Sequence, residues 1–245
     1  MIEARSLRKV FAAGKKNEVV AVDDLSFECR AGEVFGLLGP NGAGKTTTLR
    51  VLSTALKPTA GTIVVNGIDV AREPGEVRRR IGFLSGSTGL YQRLTPREIT
   101  TYFGRLYGMT DDLIAERSAA LFARLKMKDF VDRRADNLST GQRQKASIAR
   151  TMIHDPPIVV FDEPTSGLDV MTSREIIRLI HQCREDGKCV VFSTHYMEEA
   201  QRLCDRLAVV HRGRLFASGT PAEVVTSTGT DDLEEAFLKL VGEEP

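Results

Sequence analysis

The sequence predicts an α/β fold built on a parallel sheet, and three observations predict it. Ile158-Val159-Val160-Phe161 and Cys189-Val190-Val191-Phe192 are unbroken apolar runs, and the helix-patterned stretch Ser173 to Glu185 separates them. Strand, helix, strand in that order implies a crossover between parallel strands buried on both faces. A third apolar run, Val34-Phe35-Gly36-Leu37-Leu38, leads straight into a glycine loop and then a helix-compatible stretch, Thr46 to Leu56. Finally, the run at 158–161 ends in Asp162-Glu163-Pro164. Carboxylates at the carboxyl end of a parallel strand lie where such folds bind ligands.

The glycine loop reads Gly39-Pro40-Asn41-Gly42-Ala43-Gly44-Lys45-Thr46, with Thr47 following. Gly, four residues, then Gly-Lys-Thr between a strand and a helix is a phosphate-binding loop. Its glycines let consecutive backbone N–H groups curl toward an anion, and the helix start adds unpaired donors and a positive dipole end. Lys45 supplies a mobile ammonium for the outer phosphates, and the Thr46 hydroxyl is placed to ligate Mg²⁺. Asp162 can hold the same Mg²⁺, often through water, while Glu163 points elsewhere and can polarise a water for attack on a γ-phosphate. Alone, Asp162 and Glu163 could equally open a turn that Pro164 enforces; the loop upstream decides for chemistry.

The 245 residues suffice for one large α/β domain, with 34 basic against 33 acidic side chains and a net charge of +1. That balance gives no general attraction to nucleic acid. Cys29, Cys183, Cys189 and Cys204 show no CxxC pair and no Cys/His metal spacing, which fits reduced core thiols in the cytoplasm. No apolar run approaches the length of a membrane span and the N-terminus lacks a signal-peptide core, so the expectation is a soluble chain whose membrane role comes through a partner.

The first part is strand-rich. Val19–Val22 precedes Leu25–Phe27, and Thr62–Val65, Asn66-Gly67, Ile68–Val70 reads as a hairpin with a type I′ turn. From Pro96 to Pro156 the pattern is helical, with Leu113, Leu121, Phe122 and Leu125 near a 3–4 residue period. A short docking helix is expected over 231–240, with Leu233, Phe237 and Leu240 on one face. No internal repeat or low-complexity linker interrupts the chain, so 1–245 reads as a single domain with a helical subdomain over about 87–156.

Leu138-Ser139-Thr140-Gly141-Gln142 opens an amphipathic helix that runs to about His154. Ser139 and Gln142 form a Ser-x-x-Gln capping box, which needs no ligand; the same helix start, with a small residue, a glycine and a hydroxyl, is also an anion site. His195 follows the strand ending Phe192-Ser193-Thr194 and lies at another strand's carboxyl end. A lone histidine there is compatible with a structural role or with a γ-phosphate contact.

Taken in order, GPNGAGKT, LSTGQ, the strand-end Asp162-Glu163, Ser166-Gly167-Leu168-Asp169 and His195 resemble the ATP-binding cassette (ABC) ATPases, the motor subunits of ABC transporters, over essentially the whole chain. The resemblance implies a P-loop NTPase (RecA-like) core with an antiparallel β subdomain and an α-helical subdomain. It implies two cassettes, here a homodimer, sandwiching two ATP molecules, with the Lys45 loop of one chain facing the Ser139 helix of the other. Ser139 and Gly141 would contact the γ-phosphate in trans, with Thr140 and Gln142 in the same signature. Asp169 would communicate across the dimer, Glu163 would be the catalytic base and His195 the γ-phosphate sensor. Phe11 falls where the family places an aromatic that stacks on adenine; the other reading is a core phenylalanine. A separate integral membrane permease would be the partner, with the cassette on the cytoplasmic, inner face of the cell membrane.

Two departures stand out. Thr140 replaces a glycine of the usual LSGGQ, and Gly86 stands where the family usually has a glutamine that contacts Mg²⁺ and the attacking water. The expected substitutes are a water or the Ser85 or Ser87 hydroxyl, rather than Gln92. The segment Gly82 to Tyr91 and the tail Leu233 to Phe237 look like cassettes of sodium-extrusion and related ABC-2 type exporters. Non-transport cassettes are the alternative class: repair types split the cassette with long coiled coils and translation types carry two cassettes, and this chain has neither. Tyr91, Tyr102 and Tyr107 cluster with Phe103 and Met109 where the helical part begins, as a permease contact or as that part's own core.

Overall fold

In chain order the elements are β1 (Ile2–Phe11), β2 (Val19–Cys29), β3 (Val34–Leu38), α1 (Lys45–Leu52), β4 (Ala60–Val65), β5 (Ile68–Asp69), α2 (Pro74–Arg80) and β6 (Ile81–Leu84). There follow α3 (Pro96–Leu106), α4 (Asp111–Arg124), α5 (Thr140–Met152), β7 (Ile158–Asp162), α6 (Val170–Glu185), β8 (Cys189–Thr194), α7 (Met197–Leu203), β9 (Arg206–His211), β10 (Arg214–Gly219), α8 (Pro221–Thr228) and α9 (Leu233–Val241). This is a computed structural model, and it describes residues 2–86 and 89–242.

Among the described residues β10-β9-β3-β8-β7-β6 form one sheet and β2-β1-β4-β5 a second. In the first, β6 through β9 and β3 pair in parallel and only β10 is antiparallel. The predicted parallel core is therefore present. Its strands alternate between two apolar clusters, as the pleat requires. Val159 and Phe161 of β7, Val190 and Phe192 of β8, and Val34 and Leu38 of β3 face one cluster. Ile158, Val160, Cys189, Val191, Phe35 and Leu37 face the other, which the antiparallel sheet and α1 close. Leu121, Phe122 and Leu125 of the helical segment join the first cluster, so the apolar stripe read from the sequence packs onto the core of the parallel sheet.

The second sheet is antiparallel, as expected. Asn66 (φ 47) and Gly67 (φ 83) turn β4 into β5 with Val65 opposite Ile68, the geometry of a type I′ hairpin. The runs at 19–22 and 25–27 are one strand, β2, rather than two. It continues through Asp24 at φ 58 because the register with β1 shifts there. The helix after the glycine loop ends at Leu52, four residues short of the expectation, because Thr54 takes a left-handed φ of 63. Helix α5, expected to run to about His154, ends at Met152. Helix α6 starts three residues early, because Asp169 caps it by accepting from the N–H groups of Met171 and Thr172. The tail helix is present with Leu233 and Phe237 buried against the first cluster. All four cysteines are free and buried. No helix among the described residues is long and apolar enough to cross a membrane.

At the end of α5, His154 stacks on Tyr107 with ring centroids 3.7 Å apart and planes 6° from parallel. Both ring nitrogens are shielded from solvent. Burial pushes the imidazole down from 6.5 to about 4, with the positive charge of Arg117 acting in the same direction. In the window from pH 6.5 down to 4, the unfolded chain binds a proton that the folded chain refuses. Stability therefore falls as pH drops through it, by of order 1–3 kcal/mol. Urea unfolding at pH 7 and pH 5 should show this loss in the wild type, and His154→Gln should flatten it.

Candidate functional site

The pairing order fixes where the polar residues gather. Leu38 of β3 is level with Thr194 of β8, and Asp162 of β7 is level with Ser193 of β8. The glycine loop, the Asp162-Glu163 pair and His195 thus emerge side by side from the carboxyl ends of three adjacent parallel strands. Gly86 follows β6, the next strand over.

Within the loop, Gly44 caps α1 at φ 104. A Cβ there would lie 2.4 Å from the Ala21 carbonyl oxygen, so only glycine fits. Lys45 is nearly enclosed, and its Nζ donates to the carbonyl oxygens of Gly39 (2.6 Å) and Pro40 (3.0 Å) and lies 3.5 Å from Glu163 Oε1. Burial pulls this ammonium below the usual lysine range, and the Glu163 carboxylate pulls it partly back. The next side chain, Thr46, donates its hydroxyl to Asp162 Oδ1 at 3.0 Å. Ser193 donates to the same Oδ1 at 2.7 Å. Asp162 is buried, so these two hydroxyls meet the need of a carboxylate removed from water.

Glu163 breaks from the strand at φ 48, a left-handed conformation that costs a non-glycine residue about 1–3 kcal/mol. Its N–H is held by Ser193, at 3.2 Å from the carbonyl oxygen and 3.1 Å from Oγ. The turn brings Oε1 to 3.5 Å from Lys45 Nζ and 3.3 Å from His195 Nδ1. The turn that could have been all the Asp-Glu pair meant is present, and it is what aims the carboxylate.

A cleft of about 320 Å³ runs from Phe11, Val19 and Val20 across the glycine loop, Asn41 to Thr47, to Glu163. Phe11 is more than one-third exposed, with the Lys9 ammonium 5.2 Å from its ring centre, so it is a cleft residue and not a core phenylalanine. An adjoining cleft of about 500 Å³ holds Thr46, Asp162, Glu163, Gly86, Thr140 and Gln144. Ser139, Gly141, Gln142 and Asp169 line neither. The Ser139–Gln142 capping box forms in full, and Ser139 itself is exposed. Asp169 is drawn below the usual carboxylate range by the Thr172 backbone N–H and hydroxyl. The start of α5 meets the start of α6 here: a Cβ on Gly141 would come within 2.9 Å of Thr172 Oγ1.

Gly86 lines the second cleft, close to the Asp162 carbonyl. Ser85 beside it is buried, and Ser87 lies outside the described residues. The carbonyl of Gln92 accepts from the Asp136 N–H, and Gln92 is not among the residues of the cleft. Two side chains important to the geometry were not read from the sequence. Ser193 is one. Glu199 of α7 is the other: it accepts from Thr165 at 2.6 Å and from Thr194 at 2.9 Å, tying the loop after β7 to the loop that carries His195. The only sequence signal for either was position, one two residues before a strand-end histidine and one a helical turn beyond it.

Comparison with known proteins agrees with this geometry. The family model described as ABC transporter matches residues 22–166. The chain is 45% identical over 229 residues to "ABC transporter ATP-binding protein NatA" of Bacillus subtilis (strain 168), covering 93% of each. It is 35% identical to "Nod factor export ATP-binding protein I" of Cupriavidus metallidurans, covering 97% of this chain and 77% of that one. Among solved structures, "Structure of ATP binding subunit of ABC transporter" superposes with a TM-score of 0.89 at 27% identity, covering 98% of this chain and 99% of that one. The dimeric post-hydrolysis cassette MJ0796, bound to ADP and Pi, gives 0.82 at 27% identity, covering 90% and 98%. With a RecA-like core, a phosphate loop and a strand-end acid pair in one cleft, the chain belongs to the ABC transporter family as an ATP-binding, ATP-hydrolysing cassette, the kind of subunit that dimerises and works with a separate membrane permease.

Proposed function

We propose that this cassette powers an exporter of the ABC-2 type from the inner face of the membrane, hydrolysing ATP with Glu163 as general base. The observation that carries the chemistry is the convergence of Lys45 Nζ and His195 on Glu163 Oε1, at 3.5 and 3.3 Å, with Lys45 and Glu163 lining the cleft of the glycine loop. The loop and Lys45 bind the outer phosphates, and Phe11 stacks on the base. Glu163 takes the proton of a water as its oxygen attacks the γ-phosphorus; the bond to the β-phosphate oxygen breaks, leaving ADP and phosphate. His195 senses the γ-phosphate from beside the base.

The donor set suits Mg²⁺. Thr46 and Asp162 offer oxygen ligands 3.0 Å apart, and no group of three or more His, Cys, Asp or Glu comes together as a metal site among the described residues. Mg²⁺ is held in this way, by one or two protein oxygens with the rest of its shell from phosphates and water. When bound, it neutralises charge on the phosphates. With Gly86 contributing no side chain, a water or Ser85 would serve where the family usually has a glutamine.

A second copy of the chain supports the cycle. Val170 and Met171, about two-thirds exposed, lie directly after Asp169, and Tyr196 lies exposed beside His195. This apolar rim borders the site, and a homodimer would bury it while bringing the partner's signature helix, Ser139 to Gln142, over the Lys45 loop. ATP then bridges two surfaces, hydrolysis removes the bridge, and the difference in affinity between closed and open dimers supplies the work.

The permease contact falls on the aromatic cluster. Tyr91 and Tyr102 are about half exposed and meet edge to face at 6.0 Å, which favours a docking surface over a core. Phe103 lies between them and Arg150 of α5, whose guanidinium sits 5.4 Å from the Phe103 ring. Arg150 also donates to the Gly89 carbonyl in the loop after β6. The cluster is thereby linked to both the signature helix and the loop at the cleft. Export is favoured by the resemblance to sodium-extrusion cassettes and by the relative named for Nod factor export. Na⁺ is the first cargo to assay.

Glu163→Gln should retain ATP binding while kcat falls by about 10²–10⁴; a variant that hydrolyses ATP at the wild-type rate overturns the base assignment. Tyr91→Glu or Tyr102→Glu should leave the ATPase rate of the isolated cassette within about two-fold and abolish transport by the reconstituted complex. Loss of folding, read by circular dichroism, would return the cluster to a core role.

A further inference from the structure

Ser193 is the penultimate residue of β8. It is fully buried in the middle of the parallel sheet, directly across from Asp162. A serine hydroxyl has one proton to give and lone pairs to receive. Here the proton goes to Asp162 Oδ1 at 2.7 Å, and Oγ receives the Glu163 N–H at 3.1 Å. One small side chain therefore holds the carboxylate of one acid and the backbone of the next.

We propose that Ser193 is a positioning residue for ATP hydrolysis: its hydroxyl orients the cation-holding Asp162 and locks Glu163 in the left-handed turn that aims the base. Packing alone does not call for a hydroxyl at this point, since alanine would fill nearly the same volume. The Asp162 oxygen is already met by Thr46 at 3.0 Å. A second donor on that same oxygen fixes its direction, leaving the other oxygen and the remaining lone pairs for ligands. The left-handed φ of Glu163 persists only where its surroundings over-determine it. The two bonds from its N–H, to the carbonyl oxygen and hydroxyl of Ser193, do so together with the Ser166 N–H, which donates to the Glu163 carbonyl. In extended backbone, residue 163 would point to the opposite face of the sheet from residue 162. The turn instead carries Oε1 to Lys45 and His195.

This inference rests on the reading of Glu163 as base and Asp162 as the metal-holding acid, and its test separates the two. Ser193→Ala, Ser193→Thr and Ser193→Cys are compared with wild type and Glu163→Gln in the full chain. The measurements are kcat and KM for ATP, Mn²⁺ affinity with ADP present by electron paramagnetic resonance, and amide hydrogen exchange of the peptide containing Glu163. Ser193→Ala should hold KM within about three-fold, lower kcat about 20-fold or more, weaken Mn²⁺ about five-fold or more and speed exchange at Glu163. Ser193→Thr, which keeps the hydroxyl, should recover most of both losses. Wild-type kcat, Mn²⁺ affinity and exchange in a folded Ser193→Ala chain would overturn the proposal. Should Ser193→Ala not fold, kcat of Ser193→Thr should exceed that of Ser193→Cys about ten-fold, and equal rates would overturn it. A fully active Glu163→Gln would sink the base assignment alone; Mn²⁺ affinity and exchange in the Ser193 variants would still decide the clamp.

Discussion

Asp162 places a carboxylate where water scarcely reaches, and the site is built from what that demands. Leaving such a group unpaired would cost several kcal/mol, so hydroxyls must come to it. Thr46 arrives from the helix after β3 and Ser193 from β8, both on the same oxygen. Satisfying one buried anion therefore brings the phosphate loop, the acid-bearing strand and the histidine-bearing strand into a single arrangement. The parallel register makes this possible by ending the three strands level with one another. Glu163, next in the chain, inherits its position from the same contacts.

Much of this was legible in the residues. Unbroken apolar runs at 158–161 and 189–192 identified doubly buried strands, and the structure splits each between two clusters. The Gly-x₄-Gly-Lys-Thr spacing located the anion loop because only glycine can sit at φ 104 against a neighbouring carbonyl. The capping box at Ser139 was readable because its two bonds are local. Other features depended on distant parts of the chain. Ser193 and Glu199 matter through partners 31 and 34 residues away, and no local pattern records such pairings. The early end of α1 at Leu52 is not legible, because the residue types stay helix-compatible to Leu56 while Thr54 turns left-handed. The early start of α6 was missed because Asp169 was read as a motif residue and not as a cap.

The helical segment adds a second connection. Its apolar face shares a cluster with the parallel sheet, yet its aromatic edge stays exposed. Arg150, itself nearly enclosed, spans the two by lying against Phe103 while bonding to Gly89. Burial lowers its pKa from the usual arginine value; a guanidinium stays charged in a protein, so its charge is a fixed part of this joint. One guanidinium thus touches the aromatic edge and the loop after β6 from its place on α5.

The contact between Gly141 and Thr172 gives the site a further property. Because no side chain separates them, the first turns of α5 and α6 abut, and Thr172 is also the residue whose hydroxyl holds Asp169. The caps of the two helices, Ser139 and Asp169, are thus joined in space through one glycine and one threonine. A side chain at position 141 would push into Thr172 and, through its hydroxyl, into the cap that Asp169 makes on α6.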